Sequence, residues 1–107
     1  MQRITARALA DWLADAARPR PFLLDVREPT EYEYCHIPGS QLIPMASVPL
    51  RLQELPAPGP LVCICHHGGR SQQVALFLES RGCSGVYNLE GGVEAWAQVV
   101  DHTMPRY

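Results

Sequence analysis

One stretch of the chain gathers residue types that chemistry uses: Cys65-His66-His67-Gly68-Gly69-Arg70-Ser71. A cysteine attacks as its thiolate, and positive potential around it favours that form. Just before it, Leu61-Val62-Cys63-Ile64 is a continuous, partly β-branched apolar run that reads as a buried strand. Just after it, Ser71 to Arg81 reads as a helix with Val74, Ala75, Phe77 and Leu78 facing inward and Gly82 as its stop. Cys65 is therefore expected at a strand end, facing the positive pole of a helix dipole. Gly68 and Gly69 can take backbone angles that turn several N–H groups toward one centre. Such a nest binds an anion or steadies a charged sulfur. Arg70 adds a fixed charge with a forked set of donors, and His66 and His67 can add charge near neutral pH. The segment reads as a cysteine nucleophile in an anion cradle.

A free cysteine after a strand is by default only a small buried residue. The two glycines, the arginine and the helix start that follow at once favour the chemical reading for Cys65. Cys63 sits mid-strand and reads as structural; Cys35 and Cys83 lie near turns and read as incidental. Cys63 shares a strand face with Cys65. An internal disulfide between them is not expected, because Cα atoms two apart on a straight strand lie near the upper limit of ~6.8 Å. Cys63, Cys65, His66 and His67 superficially resemble metal ligands. A strand cysteine and adjacent histidines do not converge tetrahedrally, so no metal is expected.

The rest of the chain must position that loop. Thr5 can cap a helix with Leu9, Trp12, Leu13 and Ala16 on its apolar face, ended by Pro19 and Pro21. Phe22 to Val26 reads as a buried strand. Pro29 to Tyr34 reads as a short helix stopped before Pro38-Gly39, and Gln41 to Ile43 as a second strand. Ser47 with Pro49 fits the start of a helix reaching Leu55, and Pro56 to Pro60 a turn. Val86 to Leu89 reads as the last strand. Gly91-Gly92 leads into a helix over Val93 to Val99, and Asp101 to Tyr107 reads as irregular. Strands alternating with helices imply an α/β fold, a central parallel sheet flanked by helices on both faces. Ligands in such folds sit outside the carboxyl ends of the strands.

With 107 residues, the whole of 1–107 is expected to form a single domain. Hydrophobic residues at 47% and charged residues at 19% exclude a disordered chain. A net charge of −2 offers no bulk field for nucleic acid or an anionic membrane, so an anionic substrate needs a local site. No apolar run approaches a bilayer span of roughly 18 residues. The first residues lack the pattern of a secretory leader. A cytoplasmic location is expected, with the four cysteines as free thiols.

Four segments, in order, resemble the rhodanese family: Leu24-Asp25-Val26-Arg27-Glu28 with Glu31-Tyr32 shortly after; His36-Ile37-Pro38-Gly39-Ser40; Cys65 to Ser71; and Asn88-Leu89-Glu90-Gly91-Gly92-Val93-Glu94-Ala95-Trp96. The resemblance runs from about residue 4 to 97. It implies a rhodanese-like domain and a sulfurtransferase. Cys65 would take sulfane sulfur from thiosulfate or a persulfide donor and pass it to cyanide, a thiol or a sulfur-acceptor protein. In the family the loop amides hold the persulfide. Arg70 takes a position that assists an anionic donor, and His66 and His67 take variable positions suited to substrate contact. No cofactor is implied beyond the persulfide sulfur. Related cell-cycle phosphatases carry a loop one residue longer between Cys and Arg, so a phosphatase or arsenate reductase is the poorer fit. A non-catalytic binding module of the same fold would be marked by loss of the cysteine, which is present. Asp25 and Arg27 read as a charged pair near the sheet edge, His36 as a hydrogen-bonding turn residue, Gly91-Gly92 as a close approach of the last helix, and Trp96 as core or edge cover.

Overall fold

A computed structural model describes residues 1–56 and 59–107. Its elements are β1 (Gln2–Ile4), α1 (Ala6–Ala14), β2 (Phe22–Asp25), α2 (Pro29–Tyr34), β3 (Gln41–Leu42), β4 (Leu61–Ile64), α3 (Gly69–Ser80), β5 (Val86–Leu89) and α4 (Gly92–Val99). The strands form one parallel sheet in the order β1-β5-β4-β2-β3. The expected α/β architecture is present. β4 is buried at all four positions, as its continuous apolar run requires when both faces of a parallel sheet are covered.

The two faces have separate cores. On one, Leu9 and Trp12 of α1 and Val93 and Trp96 of α4 pack with Leu23, Val62, Ile64 and Leu89. On the other, Val74, Ala75 and Leu78 of α3 pack with Leu24, Val26, Leu61 and Cys63. Residues alternate between the clusters along each strand, because side chains point to opposite faces with period two. Trp96 thus fills core.

Several boundaries differ from the sequence reading. Thr5 Oγ1 caps α1 by accepting from Ala8 N–H at 3.1 Å, but α1 ends at Ala14 and Ala16 is exposed beyond it. The helix expected from Ser47 to Leu55 is instead two 3₁₀ segments, Met45–Leu50 and Leu52–Glu54. Pro49 lies inside the first, where it removes a donor and disfavours α geometry in the residue before it. β1 was not anticipated: with three residues and one apolar side chain it carries no periodic signal, yet it pairs with β5 from Gln2 to Ile4. The turn expected over Pro56 to Pro60 includes Ala57 and Pro58, which lie outside the described residues.

β2 and β4 are neighbours. Beyond β2 the chain continues into α2, and beyond β4 into α3, which packs on the opposite face from the Cys35 end of α2. The crevice that such divergence opens is where ligands bind in open parallel sheets. Cys65 follows β4 there, and Arg27 follows β2.

Candidate active site

Cys65 lies one residue beyond β4, and its sulfur faces the first turn of α3. Gly68 N–H donates to Sγ at 3.1 Å and Ser71 N–H at 3.3 Å. Gly68 makes this possible: it is left-handed, with φ of 108°, and turns the chain into the helix. A helix start leaves N–H groups without intrahelical partners. The sulfur accepts two of them and does for α3 what a capping side chain does. This is why α3 begins at Gly69, two residues before the expected Ser71. Gly69 itself has no positive φ and open space where a Cβ would stand, so only Gly68 supplies the special angle.

A polar ring locks the loop from behind. Ser71 Oγ lies 3.3 Å from Cys65 Sγ and 2.5 Å from Asn88 Oδ1. Asn88 Nδ2 donates to the Gly68 carbonyl at 3.1 Å. One hydroxyl proton serves only one partner at a time. With Ser71 donating to Asn88, its oxygen is free to accept from a Cys65 thiol. With Cys65 ionised, the backbone donors of Gly68 and Ser71 face the negative sulfur directly. Ser71 and Asn88 are both buried.

A second clamp comes from α4. Val93 N–H donates to the Cys65 carbonyl at 2.9 Å and Glu94 N–H to the His66 carbonyl at 3.1 Å. A Cβ on Gly92 would stand 2.2 Å from the Cys65 carbonyl oxygen and 2.4 Å from that of His66. Gly92 also has φ of 56°. The glycine pair thus lets the helix N-terminus reach the loop itself, the close approach its spacing suggested.

Arg70 points to the outer edge. Its Nη1 and Nη2 donate to Glu31 Oε1 and Oε2 at 2.8 and 3.0 Å. The Arg70 guanidinium holds the Glu31 carboxyl well down, to about 2. Glu31 also accepts from Glu28 N–H at 2.9 Å, closing the first turn of α2. The Asp25–Arg27 pair exists, but at the buried carboxyl end of β2, which has strands on both sides, and not at the sheet edge. Both side chains are fully buried, with Arg27 Nη2 donating to Asp25 Oδ2 at 2.7 Å and to the Cys35 carbonyl at 2.6 Å. Burial disfavours the Arg27 charge. Its hydrogen bonds to Asp25 and Tyr107 and the Asp25 carboxylate outweigh this and leave the guanidinium pKa above its ordinary value.

The two histidines face different surroundings. His66 stacks between His67, at 3.9 Å, and Tyr107, at 3.8 Å. Burial, then the neighbouring His67, lower the His66 pKa. His67 lines a cavity of about 330 Å³ with Arg3, Gln72 and Asn88. His36 sits apart, its Nδ1 2.8 Å from the Tyr32 carbonyl, a turn residue as read. Cys63 is sealed in β4, and burial pushes its thiol up to about 12.

Sequence reading missed Asn88, Ser71, Glu31 and Tyr107 as partners of the loop. Asn88 carried a signal, being a buried polar side chain in an otherwise apolar strand. Tyr107 carried none.

The description "Rhodanese-like domain" matches residues 5–99. The chain belongs to this family. It is similar to the thiosulfate sulfurtransferase GlpE of Pseudomonas fluorescens, 40% identical over 74 residues, covering 69% of this chain and 68% of the relative. It is also similar to a sulfurtransferase of Allochromatium vinosum, 34% identical over 105 residues, covering 98% of this chain and 94% of the relative. Among solved structures, a rhodanese-like domain protein from Staphylococcus aureus superposes with a TM-score of 0.85 at 30% identity, covering all of this chain and 99% of that one. Other curated relatives are longer, and the chain spans less than a third of their length. No described helix of this rhodanese-like chain is long and apolar enough to cross a membrane.

Proposed function

We propose that this rhodanese-like chain is a sulfurtransferase that carries sulfane sulfur as a persulfide on Cys65. Residues 1–107 act in this reading as a single domain in the cytoplasm. The observation that carries it is the pair of backbone donors, Gly68 and Ser71, aimed at the Cys65 sulfur. Main-chain dipoles are fixed in place and stabilise charge on sulfur without reorganising. The Cys65 thiolate attacks the outer sulfur of thiosulfate. A sulfur–sulfur bond forms to Cys65, the bond to the sulfonate sulfur breaks, and sulfite leaves with the electron pair. The terminal sulfur, now anionic, takes over the loop donors. An acceptor then removes it: cyanide leaves as thiocyanate and Cys65 returns as thiolate. Arg70 neutralises charge on the donor, and His66, His67, Gly68 and Gly69 line its approach. The similarity to GlpE supports thiosulfate as the donor class.

Incubation with thiosulfate followed by intact mass measurement tests this. The expected result is a gain of one sulfur atom, lost on adding cyanide and absent in Cys65→Ala. No gain overturns the reading, and hydrolysis of an aryl phosphate would then mark the phosphatase chemistry instead.

A further inference from the structure

Cys65 keeps only 1% of its surface, so a donor reaches Sγ only after a neighbour moves. The inner side is fixed: Ser71, whose N–H and Oγ both lie 3.3 Å from Sγ, has no exposure and is bonded to buried Asn88. On the outer side, Arg70 in the first turn of α3 and its partners Glu31 and Tyr107 keep solvent exposure. These three are linked. Glu31 Oε2, already bonded to Arg70, also accepts from the Tyr107 hydroxyl at 2.9 Å. Arg27 Nη1 lies 2.8 Å from that hydroxyl. A guanidinium has no acceptor, so the Tyr107 oxygen must accept from Arg27 and its own proton must go to Glu31. The hydroxyl is thereby tethered to the buried end of β2, and its direction is fixed. The segment before it is anchored too, by Met104 in the core and by Arg106 Nη2 donating to Glu94 at 2.5 Å.

We propose that Tyr107 is a positioning residue that governs how readily an anionic donor engages Arg70, by holding Glu31 across the guanidinium so that the donor must first displace it. The inference rests on the reading of Cys65 as an acceptor of sulfur from an anionic donor. Both oxygens of Glu31 fill the forked N–H pair that a donor dianion would use. A carboxylate held there by a second donor is a stronger internal competitor than one free to swing into water. The ring of Tyr107, lying on His66, keeps the hydroxyl over this spot.

The test compares wild type, Tyr107→Phe, Glu31→Gln and the double variant in two measurements. Tyr107→Phe keeps the ring on His66, and Glu31→Gln keeps an acceptor for Glu28 N–H. In thiosulfate-to-cyanide kinetics, Tyr107→Phe should lower KM for thiosulfate roughly threefold with kcat little changed. Glu31→Gln should lower it at least as far, and Tyr107→Phe should add nothing in the Glu31→Gln background. Additive effects, or a raised KM in Tyr107→Phe, would overturn the proposal. The second measurement needs no sulfur transfer: the ratio of Cys65 alkylation rates by anionic iodoacetate and neutral iodoacetamide. Freeing Arg70 should raise this ratio in both single variants. An unchanged ratio overturns the role of Tyr107, whereas a raised ratio in a protein that transfers no sulfur would uphold it and sink the sulfurtransferase reading alone.

Discussion

The backbone N–H of Val93 donates to the carbonyl of Cys65 at 2.9 Å, across a gap that exists only because position 92 has no side chain. The last helix therefore holds the reactive loop by its main chain. A Cβ at Gly92 would collide with two loop carbonyls from a left-handed backbone. Gly92→Ala should cost at least ~1–3 kcal/mol, the scale of such local strain, with added cost from displacing the loop. Gly69→Ala, in open space at ordinary angles, should be neutral or stabilising by up to ~1 kcal/mol. Urea unfolding of both variants checks the contrast, and equal losses would refute it.

Asn88 ties Ser71 to the Gly68 carbonyl, so its removal strips partners from two buried groups. Asn88→Ala should lose about 1–3 kcal/mol and slow sulfur loading at Cys65. Ser71→Ala should be milder for loading, because the Ser71 backbone N–H still faces the sulfur. Thermal unfolding together with the rate of mass gain from thiosulfate separates the two effects. Wild-type loading in Asn88→Ala would show that the ring supports the fold alone.

The Asp25–Arg27 pair has no access to water. Asp25→Ala leaves a buried guanidinium without its counter-charge and should cost ~3–5 kcal/mol. Replacing both residues with apolar side chains of similar volume should recover much of that loss, because the desolvation cost of both ions disappears as well. Chemical denaturation of the single and double variants measures the difference. A double variant as unstable as Asp25→Ala would contradict this account.

Acid should weaken the Arg70–Glu31 link at the outer edge. The folded Glu31 pKa, about 2, lies below the ordinary 4.5 because Arg70 favours the charged form. For a depressed pKa the stabilisation is fully present above the unfolded value, and it is lost as pH falls from about 4.5 through 2. Wild type should lose stability across that window more steeply than Glu31→Gln, and the two should run parallel above pH 6. A difference that keeps growing above pH 6 would point to another group.

The sequence was legible where one local signal dominated. Leu61 to Ile64, continuous, apolar and partly β-branched, is the best strand candidate in the chain, and the loop after it carries its chemistry in adjacent residues. Gly91-Gly92 announced a close approach but not its target, because the carbonyls that Gly92 meets belong to Cys65 and His66, far back in the chain. The segment after Pro44 was mistyped because its apolar spacing suits α and 3₁₀ turns alike, and Pro49 decided between them. Tyr107 was invisible as a site neighbour. Its partners Arg27 and Glu31 are 80 and 76 positions away, and an isolated aromatic in an irregular segment has no period to betray its direction.

The clamps on the loop have a consequence for how the molecule comes into being. The sulfur's two main-chain donors are within six residues of it, but Asn88 and the N–H groups of Val93 and Glu94 that clamp the loop come later in the chain, and Tyr107 at the rim comes later still. A chain emerging from the ribosome presents Cys65 before those residues exist. Until β5 and α4 have been made and docked, the cysteine is an ordinary unsheltered thiol. The candidate site is therefore among the last features to be completed, and during synthesis Cys65 stands as open to an oxidant or electrophile as the chain's other free cysteines.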